Sequence, residues 1–298
     1  ARVLDVGCGP TPMTYFSVYH LKTDGGIMVT GSHNPPTHNG FKMMIGRKPF
    51  FGAMIQELGK MVAAGDVLSG SGTFEEASVL EGYVARLASE VSDVDLGGLK
   101  VGWDAGNGAA GEAMALLTQR IGGHHVILNE KIDGKFPVHH PDPSEPKNLV
   151  QLQETVAKEK LDIGIAFDGD GDRIGAIDSK GRIVWGDQLL SVLARDVLKD
   201  KPGSTIIADV KASQVLFDEV ARLGGKPLMW KTGHSLIKVK MAETRSPLAG
   251  EMSGHVFFAD RYYGYDDELY AAVRLLKAVA RNGGNLAALR AQMPSPLN

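Results

Sequence analysis

Short apolar runs that end in an acidic residue alternate along the chain with helix-period stretches and glycine pairs. LKVGWD at 99–104 is one such run; small residues, a helical stretch to Arg120 and IGGHHVIL at 121–128 follow it. About a hundred residues further on, TIIAD at 205–209 is followed in the same order by small residues, a helix to Arg222 and LGGKPLMW at 223–230. A glycine pair stops each helix before the next strand begins. Two copies of strand–loop–helix–GG–strand predict parallel strands covered by helices. ARVLDV at 1–6 reads as a buried strand, and VLDVG at 3–7 as the second strand of a third copy whose first half is absent. The pattern also predicts strands at 26–29, 162–167 and 174–178, a helix at 149–160 and an amphipathic helix at 266–281. The expected fold class is α/β: three consecutive related α/β domains with mixed, mainly parallel sheets covered by helices, the first incomplete. Divisions near Thr73 and Arg182 give units 1–73, 74–182 and 183–298.

Composition leaves this picture in place and narrows the function. A chain of 298 residues suits two or three domains, and 43% hydrophobic with 22% charged residues is ordinary globular usage. A net charge of −3 supplies no general field for nucleic acid or an anionic membrane, so an anionic substrate needs a local cluster of positive groups. The single cysteine, Cys8, excludes an internal disulfide framework and fits a reducing compartment. No apolar run approaches the roughly 18 residues of a membrane span. A start within a strand and the proline-rich MPSPLN at 293–298, which reads as a linker, lead us to expect a piece of a longer chain.

Two segments carry chemistry. In FDGDGDR at 167–173, Asp168, Asp170 and Asp172 alternate, so an extended loop can turn all three carboxylates to one side. Carboxylate oxygens suit Mg²⁺ or Ca²⁺, and three of them leave coordination positions open for a phosphate oxygen. An EF-hand fails: Arg173 stands at the sixth position and Ser179 at the twelfth, with strands on both flanks. In TGSHNPP at 30–36, Ser32 sits on a tight loop after an apolar strand, and Pro35 and Pro36 stiffen the loop so that the hydroxyl is held out. His33 is placed to orient or shuttle a proton, although a sequence neighbour does not easily face the Ser32 hydroxyl. A Ser-His-Asp hydrolase lacks support, because Thr30 replaces the glycine of the nucleophile elbow. A strand ending in Asp-x-Asp also resembles haloacid-dehalogenase-type phosphatases, which would make Asp168 the nucleophile. The third carboxylate, Asp172, argues against that reading through repulsion of the phosphate.

Together these segments resemble the α-D-phosphohexomutase superfamily, in its bacterial phosphomannomutase/phosphoglucomutase branch. TGSHNPPTHNGFK at 30–42 resembles the phosphoserine loop, DGDGDR at 168–173 the magnesium loop, WKTGHSLIK at 230–238 a substrate segment and GEMSGH at 250–255 the sugar-binding loop. The resemblance implies that phospho-Ser32 gives its phosphoryl group to a hexose 1- or 6-phosphate of mannose or glucose through a 1,6-bisphosphate. Glucose 1,6-bisphosphate would be the activator, and Mg²⁺ would be held by Ser32, Asp168, Asp170 and Asp172. It implies Lys42 as general acid/base, with a pKa depressed by burial beside other cations, Arg173 as a second cation, and His33 and His255 as helpers. Lys211, Gly233, His234, Glu251, Met252, Ser253, Gly254 and His255 would bind substrate, with Glu251 and Ser253 on the sugar's 3- and 4-hydroxyls. Hexose phosphates as the only partners, a cytoplasmic location and a monomer come with the same resemblance. The family's opening strand with a catalytic arginine and its fourth domain with a phosphate clamp have no counterpart here. An inactive fragment that binds metal and sugar phosphate is therefore the second alternative.

Other clusters read as structure. His139, His140 and Asp142 fit turn packing, His124 and His125 a strand, and Lys231, Lys238 and Lys240 a solvated helix face.

Overall fold

The computed structural model describes residues 1–293, so the proline-rich stretch 293–298 that reads as a linker lies, apart from Met293, outside the described residues. In the middle of the chain the sheet has five strands, in spatial order Ile183–Val184, Ile174–Asp178, Ile163–Phe167, Lys100–Asp104 and His124–Leu128. Lys100–Asp104 pairs in parallel with both neighbours, whereas Ile174–Asp178 pairs antiparallel on both sides. The last third forms a four-stranded sheet in the order Lys226–Trp230, Thr205–Asp209, Leu248–Gly250 and Val256–Phe258, its final pair antiparallel. The sheets are mixed, with helices such as Val150–Glu159 and Gln214–Arg222 between the parallel strands.

The first part differs. Gly25–Val29, Phe41–Ile45 and Lys48–Phe50 make a three-stranded antiparallel sheet, because the short link between the last two permits only a hairpin. The helix Thr11–His20 covers one face, and its own Met13, Tyr15, Phe16 and Val18 are buried. Arg2–Asp5 is not the buried strand its composition suggests. Among the described residues it pairs only with Thr73–Glu76, and Val3 is 51% exposed.

One apolar cluster runs from Phe16 through Tyr83, Trp103 and Phe167 to Leu276, so the helix Thr11–His20 shares a core with the rest of the chain. At its centre lies the helix Glu268–Arg281, which is buried on all sides except near its end rather than presenting a solvated polar face. Its charged side chains are met by partners from other elements: Lys277 donates to the Glu90 carbonyl at 2.7 Å and Arg274 to Asp260 at 2.8 Å. Among the described residues no helix is long and apolar enough to cross a membrane.

Candidate active site

Asp5, Asp104 and Asp209 each end a strand, and the carboxylate pins a loop: the one that follows at Asp5 and Asp104, and two more distant segments at Asp209. Asp5 accepts from the amide of Gly7, Asp104 from that of Gly106, and Asp209 from the Met252 amide and the Thr232 hydroxyl. Asp209 thus ties the segment ahead of His234 to the loop 250–255. Strand-end aspartates are visible in the sequence, but their role as loop anchors is not.

The acidic loop leaves the wholly buried strand Ile163–Phe167, and Asp168, Asp170 and Asp172 are themselves buried. Asp168 Oδ1 accepts the amides of Asp172 and Arg173 at 3.0 and 3.1 Å, which fixes the loop, while Oδ2 lies 3.2 Å from Ser32 Oγ. Asp170 Oδ2 accepts Lys42 Nζ and Thr11 Oγ1, both at 2.6 Å. Asp172 Oδ2 accepts Lys42 Nζ as well, and Asp172 Oδ1 lies 3.5 Å from His255 Nε2. Oδ1 of Asp170 and Oδ1 of Asp172 are buried without a hydrogen-bond partner. One side-chain oxygen from each of the three aspartates lies within 4.8 Å of the others. Hard oxygen donors, two of them unpartnered, fit a divalent cation such as Mg²⁺.

Ser32 reaches this loop because two backbones approach closely. A side chain at Gly169 would sit 2.1 Å from the Ser32 carbonyl oxygen, so only glycine fits there. Ser32 itself adopts φ +51°, an uncommon left-handed conformation for a residue with a side chain. The amide of Ser32 donates to Thr30 Oγ1 at 2.8 Å, which helps hold that turn. This twist overturns the expectation for His33: its Nδ1 lies 3.0 Å from Ser32 Oγ and 3.8 Å from Asp168 Oδ2.

Lys42 extends from the strand Phe41–Ile45, opposite Met28, toward the aspartates. The expected depressed pKa is corrected. Burial alone would lower it, but Asp172, Asp170 and Asp168 outweigh burial and hold Lys42 firmly as an ammonium, because its neighbours are anions and not cations. Burial beside Asp172 and Asp168 pushes Asp170 up to about 7 despite Lys42. Burial also opposes charge on Asp172, yet Lys42 and His255 keep it well below the usual carboxylate range. His255, buried between Asp172 and Glu251, is pushed up to about 10 by those carboxylates against desolvation, and so is an imidazolium at neutral pH.

The loop 250–255 closes the far side. Glu251 Oε1 accepts the Gly233 amide at 2.5 Å, and Ser253 Oγ lies 3.0 Å from His255 Nδ1. Gly254, at φ +96°, accepts the Ile174 amide at 3.0 Å, which joins this loop to the strand leaving the acidic loop. His234 stacks on His255 at 5.8 Å and its Nδ1 lies 3.1 Å from Asp266. Lys238 is not on a solvated face: it donates to Asp266 at 2.8 Å and lies over the Tyr15 ring. Lys211 is exposed just beyond Asp209, and neither it nor Arg173 makes a side-chain hydrogen bond among the described residues. In the 139–142 turn His139 Nε2 lies 2.9 Å from Asp104, and on the strand His124–Leu128 His125 accepts from Trp103. A cavity of about 1000 Å³ between the first hairpin and the helix His234–Thr244 reaches Lys42 and His234.

Three consecutive family profiles match the chain: phosphoglucomutase/phosphomannomutase alpha/beta/alpha domain I over residues 1–66, domain II over 81–181 and domain III over 185–297. The phosphomannomutase/phosphoglucomutase of Pseudomonas aeruginosa is 43% identical over 281 residues, 94% of this chain and 60% of that protein. That of Pseudomonas putida is 44% identical, covering 100% of this chain and 64% of that protein. The crystal structure of a phosphoglucomutase/phosphomannomutase family protein from Burkholderia thailandensis superposes with a TM-score of 0.94 at 44% identity, over 100% of this chain and 66% of that one. The chain thus spans less than two thirds of the length of these relatives.

Proposed function

From a chain that belongs to the phosphoglucomutase/phosphomannomutase family, we propose a phosphohexomutase that interconverts hexose 1-phosphate and hexose 6-phosphate, of mannose or glucose, through phospho-Ser32 and a 1,6-bisphosphate. The contact of Ser32 Oγ with Asp168, inside a ring formed with Lys42 and His255, carries this reading. We assign the phosphoserine loop to residues 1–73, the metal loop to 74–182 and the sugar loop to 183–298. Asp168, Asp170, Asp172 and Ser32 would hold Mg²⁺. When bound, Mg²⁺ neutralises charge on the transferring phosphoryl oxygens and on the carboxylates.

In the first transfer a sugar oxygen forms the new bond to phosphorus, the P–Oγ bond of Ser32 breaks, and the electron pair stays on Oγ. His33, 3.0 Å from that oxygen, exchanges the proton there. Lys42, once freed from the Asp170 and Asp172 carboxylates that hold it as an ammonium, takes the proton that leaves the sugar hydroxyl. Arg173 adds positive charge beside the acidic loop. The His255 imidazolium orients Glu251, which with Ser253 takes the 3- and 4-hydroxyls; Lys211, Gly233, His234, Met252 and Gly254 complete the sugar side. Reading those two hydroxyls leaves C2 unexamined and admits both sugars. The reading includes a cytoplasmic monomer activated by glucose 1,6-bisphosphate, with no nucleic-acid or membrane partner; a net charge of −3 and one exposed thiol, Cys8, support it.

The test is ³¹P NMR of mannose 1-phosphate with this chain, Mg²⁺ and catalytic glucose 1,6-bisphosphate, beside Ser32→Ala. Mannose 6-phosphate growing with the parent and not with the variant is the expected result. A hydroxylamine-labile phosphoenzyme with release of free phosphate would replace this reading by a phosphatase that uses Asp168. Binding of metal and sugar phosphate with no conversion would replace it by an inactive binding protein.

A further inference from the structure

One polar contact at the acidic loop comes from a residue that has no place in the chemistry above. Thr11 opens the helix Thr11–His20 directly after Pro10 and is completely buried. Its Oγ1 donates to Asp170 Oδ2 at 2.6 Å, and its amide donates to the Asp170 carbonyl at 2.8 Å. Lys42 Nζ donates to the same Oδ2 at 2.6 Å. That oxygen is thereby committed to two donors, while Asp170 Oδ1 is buried with none.

The two donors are not equivalent. Lys42 is an ammonium on a flexible four-carbon stem, and a cation that takes the carboxylates displaces it. Thr11 has one side-chain torsion, is stiffened by β-branching, and is anchored by its own amide on the same residue. With Lys42 displaced, the Thr11 hydroxyl is the donor that still fixes the rotation of the Asp170 carboxyl group. We propose that Thr11 is a positioning residue for the metal loop: its hydroxyl holds Asp170 Oδ2 so that Oδ1 faces the cation. This inference rests on the divalent-cation reading of the acidic loop. Partners of this kind, one step behind a metal ligand, commonly change metal affinity by about 10–100-fold when removed.

The test uses Mn²⁺ as the probe, with free Mn²⁺ followed by electron paramagnetic resonance on the whole chain and on Thr11→Val, Thr11→Ala and Thr11→Ser. Thermal unfolding is recorded on the same samples. The valine and alanine variants are expected to bind Mn²⁺ about tenfold more weakly or worse, and the serine variant to stay within about twofold of the parent. If valine does not fold, alanine decides. Parent-like affinity in the variants without the hydroxyl overturns the inference, as does a serine variant as weak as alanine. A parent chain that binds no Mn²⁺ overturns the cation reading and this inference together, whereas a binding parent with indifferent Thr11 variants overturns this inference alone.

Discussion

The acidic loop and the serine loop meet at one point but stand on unlike supports. Asp168, Asp170 and Asp172 lie between two strands, Ile163–Phe167 and Ile174–Asp178, whose every residue is buried. The strand ahead of Ser32 and the strand that carries Lys42 bury one face only. Met44 faces the helix side, while Ile27 (66% exposed), Val29, Phe41 (68%) and Ile45 line the other. The neighbouring helix Ala53–Ala64 has no buried residue at all. Burial of apolar area contributes about 25 cal/mol per Å², so packing fixes the carboxylate cage far more firmly than the segments that bring the hydroxyl and the ammonium. Those segments are held to the cage by polar contacts: Ser32 to Asp168, Lys42 to Asp170 and Asp172, Thr11 to Asp170. Rigidity thus resides in the cage, and the hydroxyl of Ser32 and the ammonium of Lys42 are docked onto it.

If docking through Lys42 matters to the chemistry, Lys42→Met has the largest effect. It removes the group proposed to exchange the sugar proton and leaves two buried carboxylates without their ammonium partner. Phosphoryl transfer to or from Ser32, followed by rapid quench, should slow by about 10²–10⁴-fold. A loss below tenfold would assign the proton exchange to His33 alone.

The difference in packing has its own consequence for stability. Ile165→Ala empties a fully buried position in a central strand and should cost about 2–5 kcal/mol. Ile27→Ala, on the open face, should stay within about 0.5 kcal/mol. Urea unfolding compares the two, and hydrogen exchange should show the amides of Gly25–Val29 and Phe41–Ile45 opening before those of Ile163–Phe167. Equal costs at the two isoleucines, or simultaneous exchange, would mean that the first sheet is as firmly packed as the second.

Much of the site was legible because its chemistry is local in sequence. Alternating aspartates on a glycine hinge, a serine between glycine and prolines, and a glycine pair after each helix are short patterns with a physical cause. What stayed hidden depends on contacts between distant residues. Thr11 meets Asp170 across 159 positions, and within the GPTP turn it shows only as a residue at a helix start. Lys238 lies on a helix whose composition looks solvated, and only the approach of Tyr15 and Asp266 buries it. Lys42 carries no sign that its neighbours are anions. The strands of the first sheet are apolar on both faces, so their pattern does not reveal that one face is open. At His33 the reason is local: the left-handed turn at Ser32 that brings its ring to the hydroxyl is rare for serine.

Asp267 tests the cage side by pH, away from the reacting groups. Its carboxyl accepts the hydroxyls of Tyr83 at 2.8 Å and Tyr262 at 2.7 Å and the amide of Tyr270 at 3.0 Å, so it joins the middle of the chain to the helix Glu268–Arg281. Burial, with a smaller push from Asp266, raises it to about 6 in spite of those bonds. In the unfolded chain it titrates near 4. Between these values the folded protein keeps a proton that the unfolded chain has released, so stability falls as pH rises from about 4 through 6 and is then level. The fall attributable to this group is up to roughly 3 kcal/mol. Asp267→Asn, which cannot ionise yet still accepts at the helix start, should remove that slope. Urea midpoints of the parent and the variant should therefore diverge from pH 4 to pH 6, the variant gaining relative to the parent. The first sheet, which supplies none of the hydrogen bonds to Asp267, should keep the same exchange rates in both. Parallel stability curves would mean that the three bonds already hold the carboxylate charged at pH 4, and that this interface is polar in energy as well as in composition.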